Sequence, residues 1–175
     1  MKGGRSNVVL IGMPGAGKST VGVLLAKQLG KGFVDTDVVI QSVEGRTLQD
    51  IVDGEGHLAL RAIEERALCE LDVHDHVIAT GGSAAYSDAA MAALRRNGVI
   101  VYLDVPWSEI EARVTNLGSR GIARAEGQTL RDVYDERTPL YEHHADIIVD
   151  CTGLTQAQAV ERVAAALEQP AASGK

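Results

Sequence analysis

The sequence predicts one α/β domain in which helices flank a five-stranded parallel β-sheet. Short runs of β-branched and other apolar residues alternate with longer segments of helical periodicity, the pattern that βαβ units produce. The run at residues 98–105 is almost entirely apolar, as expected of a parallel strand covered on both faces. The chain has 175 residues, of which 45% are hydrophobic, so it can bury one sizeable core.

The first half of the chain holds three of the predicted strands. A strand at residues 7–11 leads into a helix at 18–30, on which Val21, Leu24 and Leu25 share a face. The next elements are a strand at 32–37, a helical piece past Ile40 that breaks at Gly45, a helix capped by Thr47 and Asp50, a helix at 57–71 and a strand at 76–80.

The second half repeats the alternation. A helix at 88–96, the strand at 98–105 and a helix from Pro106 to about 115 are followed by residues 116–128, which lack periodicity. We expect those residues to form a mobile surface loop. The last elements are a helix from 129 that must kink or break at Pro139, a strand at 146–150, a helix with Val160, Val163, Ala164 and Leu167 on its buried face, and a frayed tail at about 169–175.

Composition excludes several classes of function. A net charge of −7 and only 3% aromatic residues argue against a nucleic-acid partner. No apolar run reaches the length of a membrane span or a signal peptide, so we expect a cytoplasmic protein without a membrane partner, and a monomer. The cysteines, Cys69 and Cys151, form no CxxC pair, and the histidines at 74–76 and 143–144 lack metal-site spacing, so we expect surface histidines.

The strongest motif is GMPGAGKS, from Gly12 to Ser19, which matches GxxxxGK[ST] between a strand and a helix. It predicts a P-loop NTPase fold that binds a nucleoside triphosphate and Mg²⁺. Glycines let the loop's N–H groups point at phosphates, while Lys18 reaches the β- and γ-phosphates and Ser19 binds Mg²⁺. We expect Lys18 to face solvent until nucleotide binds. A glycine-rich turn that only joins strand to helix is the alternative.

Two acids follow the second predicted strand, Asp35 and Asp37. We expect them to point to opposite sides, Asp35 towards the metal and its waters and Asp37 towards a phosphate acceptor. A solvated acidic turn is the alternative. No NKxD sequence is present, which argues against a GTPase.

Taken together, these motifs resemble the shikimate kinase family. The phosphate loop, the Asp35–Asp37 pair, LRAIE at 60–64, ATGG at 79–82, a basic glycine-rich loop and RTPLY at 137–141 occur in the order found in that family. The resemblance spans about residues 7 to 150. It implies a nucleoside-monophosphate-kinase-like fold and ATP- and Mg²⁺-dependent phosphorylation of a hydroxyl of shikimate, a cyclic carboxylic acid.

The resemblance also assigns roles to individual residues. Asp37 would contact the acceptor hydroxyls, Arg61 and Arg137 would hold the carboxylate, and Gly81 and Gly82 would line the acceptor pocket. The nucleotide side would comprise Gly15, Ala16, Gly17, Lys18, Ser19, Thr20, the adenine-side Arg113 and the lid residue Arg120, with Lys18, Asp37 and Arg120 catalytic.

Each acceptor-side assignment has an alternative. Arg61 could pair with Glu64 or Glu65 at helical spacing, and Arg137 could be a solvated helix charge. Gly81 and Gly82 could form a tight turn that needs positive φ.

Two departures from the family pattern leave the acceptor open. Ser83 stands where the family has a third glycine, and Gly121 to Ala123 separate Arg120 from Arg124 where the family has PLL. Arg124 could therefore take the place of Arg120. A smaller hydroxy acid such as homoserine is the second acceptor hypothesis, and a nucleotide-binding switch without phosphotransfer is the third reading.

Overall fold

The computed structural model describes residues 5–117 and 122–168. Its five parallel strands lie in the order β2-β3-β1-β4-β5, which confirms the predicted sheet. The strands are β1 (Asn7–Ile11), β2 (Gly32–Asp35), β3 (His76–Ala79), β4 (Gly98–Asp104) and β5 (Ile147–Asp150). The predicted tail at 169–175 lies outside the described residues.

Eight α-helices connect and flank the strands in these ranges. They are α1 (Lys18–Leu29), α2 (Thr36–Glu44), α3 (Leu48–Glu55), α4 (His57–Glu70), α5 (Asp88–Asn97), α6 (Trp107–Leu117), α7 (Leu130–His144) and α8 (Gln156–Glu168). A single 3₁₀ turn, Ala84–Tyr86, follows β3. None of the described helices is long and apolar enough to cross a bilayer.

Local sequence signals fix several of the helix ends. The predicted Thr47–Asp50 capping box forms at the start of α3, and Thr129 and Asp132 form a second box at the start of α7. Helices α1 and α2 end at Gly30 and Gly45, which both adopt the left-handed conformation expected of a C-terminal cap.

The register of the sheet brings three strand ends together. Strand β1 is buried along its whole length between β3 and β4. Ala79 of β3 pairs with Leu10 of β1 and with Asp35 of β2. The segments that follow these strands therefore meet at one edge of the sheet, and they are the segments that carry the phosphate loop, Asp37 and the Gly81–Gly82 pair.

Three details of the predicted packing are wrong. Leu24 is 40% exposed, whereas Val21 and Leu25 are buried, because the buried face of α1 passes through Gly22 and Ala26 and leaves Leu24 off it. Helix α7 continues through Pro139 to His144, so the predicted break at Pro139 is wrong, whereas a kink there stays a prediction. His144 is buried rather than on the surface, since it lies on the inner face of α7, where the carbonyl of His144 accepts a hydrogen bond from Arg95.

Candidate active site

A cavity of about 290 Å³ lies where β1, β2 and β3 end. Its wall combines residues from the phosphate loop, α2, α4, the segment after β3, and α7. Of the residues predicted for the site, it includes Gly15, Gly17, Lys18, Ser19, Thr20, Asp37, Gly81, Gly82 and Arg137. Residues predicted to bind the nucleotide and residues predicted to bind the acceptor thus line one cavity.

The phosphate loop has a conformation that requires glycine. Gly15 and Gly17 have φ values of +83° and +92°, where side chains are strained. The N–H of Ala16 donates to the carbonyl of Met13 over 3.0 Å, which closes the turn. Gly17 precedes α1 without supplying a side-chain cap. The first N–H groups of α1 are therefore available to an anion.

Lys18 does not face solvent, so that expectation was wrong. Its side chain is buried, and Nζ donates hydrogen bonds of 2.8 Å to the carbonyls of Gly12 and Met13. Burial lowers the pKa of Lys18 to about 8, although the nearby Asp37 carboxylate opposes the shift. The ammonium group is held inside the loop by the loop's own carbonyls.

Ser19 and Asp35 are joined directly. The Ser19 hydroxyl donates to Oδ2 of Asp35 over 2.5 Å, and Oδ1 of Asp35 accepts from the N–H of Asp37 over 3.0 Å. This second bond caps the N-terminus of α2. The pair combines a hydroxyl with a carboxylate, the oxygen ligands that suit Mg²⁺ either directly or through water.

Asp35 and Asp37 do not both belong to an extended segment. The strand ends at Asp35 and α2 begins at Thr36. Residues two apart in a strand would share a face, so it is the start of the helix that separates the two carboxylates. Asp37 lines the cavity, and burial raises its pKa while Lys18 opposes the rise. This position also excludes a fully solvated acidic turn.

Glu64 is a cavity residue for which the sequence analysis predicted no role in the site. Its side chain is 3% exposed, and Oε2 accepts a hydrogen bond from the Ser83 hydroxyl. Burial raises the pKa of Glu64 to about 7. Oε1 has no hydrogen-bond partner within residues 5–117 and 122–168. A sequence signal existed, because Glu64 lies four residues from both Leu60 and Leu68 on the buried stripe of α4.

Gly81 and Gly82 are required because side chains approach them closely. Neither residue has positive φ, so positive φ is not the reason for the glycines, although the N–H of Ala84 does close a turn onto the carbonyl of Gly81 over 3.3 Å. A Cβ at Gly81 would clash with Glu64 and come within 2.8 Å of Asp37, and a Cβ at Gly82 would lie 2.8 Å from both Arg137 and Pro14. The two glycines let the charged side chains of the cavity converge.

Arg137 is fully buried rather than a solvated helix charge. It is 1% exposed, lines the cavity, and donates from Nη2 to the carbonyl of Ala123. Further along α7, the Tyr141 hydroxyl donates to the carbonyl of Gly82 over 2.5 Å. These contacts fix α7 against the segment after β3.

Arg61 is not among the described residues that line this cavity. It lies in an adjoining depression of about 310 Å³, whose wall also contains Glu64, Ser83 and Tyr86. Its ion pair is with Glu136, at 3.8 Å, rather than with the predicted alternatives Glu64 or Glu65. The structure thus separates the two predicted carboxylate-binding arginines by the Glu64–Ser83 pair.

Two of the remaining predicted residues, Arg113 and Ala16, lie at the phosphate loop. Arg113 donates to the carbonyl of Gly15 over 3.2 Å and pairs with Glu109 at 2.8 Å, so it touches the outer side of the phosphate loop. Ala16 is buried in the loop. Arg120 lies outside the described residues.

The segment predicted as a surface lid is only partly described. Helix α6 continues into its first residues, to Leu117. Ile122 and Ala123 are buried and line the cavity, so this part is not on the surface. Arg124 lies in a different depression, between α3 and the loop.

Comparison with known proteins gives a consistent result. The sequence model of the family described as shikimate kinase matches residues 14–168. A shikimate kinase of Pseudomonas paraeruginosa is 41% identical over 147 residues, which cover 82% of this chain and 86% of that protein. One from Paracidovorax citrulli is 35% identical over 174 residues, covering 96% and 95%. The structure of shikimate kinase from Acinetobacter baumannii in complex with shikimate has a TM-score of 0.83 at 32% identity and covers 91% of this chain and 90% of that one.

Proposed function

The chain belongs to the shikimate kinase family, and from this premise we propose that it transfers the γ-phosphoryl group of ATP to a hydroxyl of shikimate. The observation that carries the proposal is the shared cavity, whose wall holds the phosphate-loop residue Lys18, the acid Asp37 and the buried Arg137. A phosphate-binding loop, a group that accepts a hydroxyl proton and a carboxylate-binding cation are the parts that this transfer needs.

On the nucleotide side, the phosphates bind the N–H groups of the loop from Gly15 to Thr20. Lys18 leaves the carbonyls of Gly12 and Met13 and neutralises the β- and γ-phosphates. Ser19, through its hydroxyl, and Asp35, through water, are the residues that would hold Mg²⁺, and the ion would supply positive charge to the phosphates when bound with ATP. The hydrogen bond between Ser19 and Asp35 supports this assignment, because it shows that the hydroxyl and the carboxylate are close enough to share one ion.

On the acceptor side, Asp37 orients the hydroxyl that attacks and takes its proton late in the transfer. Phosphoryl transfer has a loose transition state, so catalysis comes from positioning and charge neutralisation rather than from a strong base. Lys18 and Asp37 face the same cavity, so the ammonium lies near the carboxylate when the proton arrives.

The substrate carboxylate binds Arg137 in the cavity, and Arg61 reaches it from the adjoining depression. A planar guanidinium gives paired hydrogen bonds to a carboxylate. Burial of Arg137 supports its role, since its hydrogen bonds within the described residues go to neutral oxygens of Ala123 and Tyr86 and a buried cation without a counter-charge is costly. Gly81 and Gly82 line this end of the cavity and admit the ligand.

Arg120 is the lid arginine, within a lid at about residues 116–128, and Arg113 lies on the adenine side. The ion pair with Glu109 and the contact with Gly15 support the position of Arg113. We extend the proposal to a single kinase domain over residues 1–175 that acts as a cytoplasmic monomer.

Ser83 does not demand a smaller acceptor than shikimate. Its hydroxyl donates to Glu64, so the polar group added at this position is already paired within the protein. Ser83 suggested a smaller acid such as homoserine because its side chain takes up space and adds a polar group; the bond to Glu64 removes the second of these two reasons.

The test is release of ADP from ATP with shikimate or homoserine as acceptor, with Mg²⁺ present and with EDTA, together with detection of the phosphorylated acid. We expect Mg²⁺-dependent turnover with shikimate and background release with homoserine. Preferred turnover of homoserine would replace the acceptor, and release with neither acid would support the nucleotide switch.

A further inference from the structure

Tyr86 lies between the two arginines proposed to hold the substrate carboxylate. It ends the 3₁₀ turn that follows the Gly81–Gly82 segment, and its side chain is partly buried. The guanidinium carbon of Arg61 lies 3.5 Å from the centroid of the Tyr86 ring, and that of Arg137 lies 5.3 Å from it. One aromatic ring therefore contacts both cations.

The contact with Arg61 is the closer of the two. A guanidinium carbon 3.5 Å from the ring centroid is in close cation–π contact, which restrains the guanidinium group over the ring. Arg61 Nε is buried without a hydrogen-bond partner in the described part of the chain. The orientation of this side chain thus depends on the ring of Tyr86 and on its long ion pair to Glu136.

The hydroxyl of Tyr86 makes a second set of contacts. It donates to Oε1 of Glu136 and accepts from Nε of Arg137 over 3.4 Å. The other oxygen of Glu136 accepts from the side-chain amide of Gln128 over 2.9 Å. Both oxygens of Glu136 are therefore bound by neutral donors. Arg61 is left 3.8 Å from this carboxylate, beyond hydrogen-bonding distance.

We propose that Tyr86 is a positioning residue for substrate binding, because its ring restrains the guanidinium of Arg61 and its hydroxyl keeps Glu136 from neutralising the two arginines. The inference rests on the proposed function, since it assumes that these arginines bind a substrate carboxylate. Tyr86 itself need not touch the substrate.

The protonation states of the two partners agree with these directions of donation. Burial raises the pKa of Tyr86, so its hydroxyl stays protonated, and the hydrogen bond from Tyr86 lowers the pKa of Glu136, so its carboxylate stays ionised. Without the hydroxyl, Glu136 would turn towards Arg61, the nearest cation, and compete with a ligand carboxylate for it. Without the ring, Arg61 would also lose the cation–π contact that restrains it.

The experiment compares Tyr86→Phe, which keeps the ring, with Tyr86→Leu, which removes both features. We expect KM for shikimate to rise roughly threefold in Tyr86→Phe and roughly tenfold in Tyr86→Leu. In both variants kcat and KM for ATP should stay within about twofold of the wild type, because neither contact involves the phosphate loop. Tyr134→Leu is the matched control, since the Tyr134 ring also lies beside an arginine, Arg131 at 5.7 Å, on the Trp107 side of α7.

A second readout separates positioning from a general loss of structure. Inhibition constants are measured for the carboxamide of shikimate, which keeps the ring and hydroxyls but lacks the negative charge. We expect Tyr86→Leu to weaken binding of shikimate but not of the carboxamide. Equal weakening of both, or an unchanged KM for shikimate in Tyr86→Leu, would overturn the role of Tyr86 while wild-type turnover upholds the function. A wild type that does not phosphorylate shikimate would overturn the proposed function and this inference with it.

Discussion

The Ser83 hydroxyl donates a hydrogen bond to Oε2 of Glu64, and both side chains are buried where the main cavity meets the depression that holds Arg61. A carboxylate in such a place needs donors, and Ser83 supplies one. The residue that departs from the glycine of the family pattern is thus the hydrogen-bond partner of a buried acid.

Replacing Ser83 by Ala should leave Glu64 without this donor. We expect the free energy of unfolding at pH 8 to fall by roughly 1 to 2 kcal/mol, the usual cost of a buried group that loses its partner. Urea unfolding measures this. Ser108→Ala, at an exposed position of α6, is the control and should change little; equal values for the two variants would contradict the role of the Ser83 hydroxyl.

Stability should depend on pH through Glu64. Burial raises its pKa from 4.5 to about 7, so between these pH values only the folded chain holds the proton. The free energy of unfolding therefore falls as pH rises through this window and levels off above it. Relative to Glu64→Gln, the free energy of unfolding of the wild type should fall by roughly 3 kcal/mol from the acidic side of this pH window to the basic side. Urea unfolding at pH 5 and 7.5 tests this, and parallel pH profiles for both proteins would refute it.

Replacing Lys18 by Met should remove turnover without weakening the fold. We expect kcat to fall about a hundredfold or more, because the ammonium neutralises phosphate charge in the transition state. Burial disfavours the charged form of Lys18, so the free protein should melt at the same or a higher temperature. Thermal melts with and without ATP and Mg²⁺ check both statements, and near-normal phosphotransfer would be incompatible with the proposed nucleotide site.

Replacing Arg137 and replacing Arg113 should affect the binding of different substrates. Arg137→Ala should raise KM for shikimate roughly a hundredfold and leave KM for ATP nearly unchanged. Arg113→Ala should raise KM for ATP about fivefold and leave KM for shikimate unchanged. Steady-state kinetics with each substrate varied gives both values. An effect of Arg137→Ala on ATP alone would place the acceptor elsewhere.

The lid arginine can be identified by comparing Arg120→Ala with Arg124→Ala. Loss of a cation that contacts the transferred phosphoryl group should lower kcat about a hundredfold, which we expect for Arg120. Arg124 lies in the depression beside α3, so its replacement should change kcat little. The opposite ranking in single-turnover assays would exchange the two assignments.

The sequence predicted the features that are encoded locally. The glycines of the phosphate loop, the Thr47–Asp50 capping box and the glycine that ends α1 each act within a few residues, so their patterns were sufficient. The order of the motifs along the chain could also be compared with that of the shikimate kinase family.

Features that depend on packing between distant segments were not predicted. Glu64 carries no local sign of burial except its place on an apolar stripe, and its partner Ser83 is nineteen residues away. Leu24 is exposed because the buried face of α1 passes through Gly22, where the ring of Phe33 from β2 approaches the helix. The conformation of Lys18 depends on which carbonyls the folded loop presents. Arg61 and Arg137 were expected in one pocket, and the error arose because the order of motifs in a sequence does not give the distances between them.

The bonds from Lys18 to the carbonyls of Gly12 and Met13 bear on how fast the product departs. If the ammonium of Lys18 had no other acceptor, departure of the nucleotide would leave its charge without a partner. ADP would then leave slowly. Under the proposed function the ammonium would exchange the two carbonyls for phosphate oxygens, so its charge would be compensated both before and after catalysis. We expect this exchange to lower the barrier to emptying the site, which makes the lysine an aid to recycling the enzyme as well as to the chemical step.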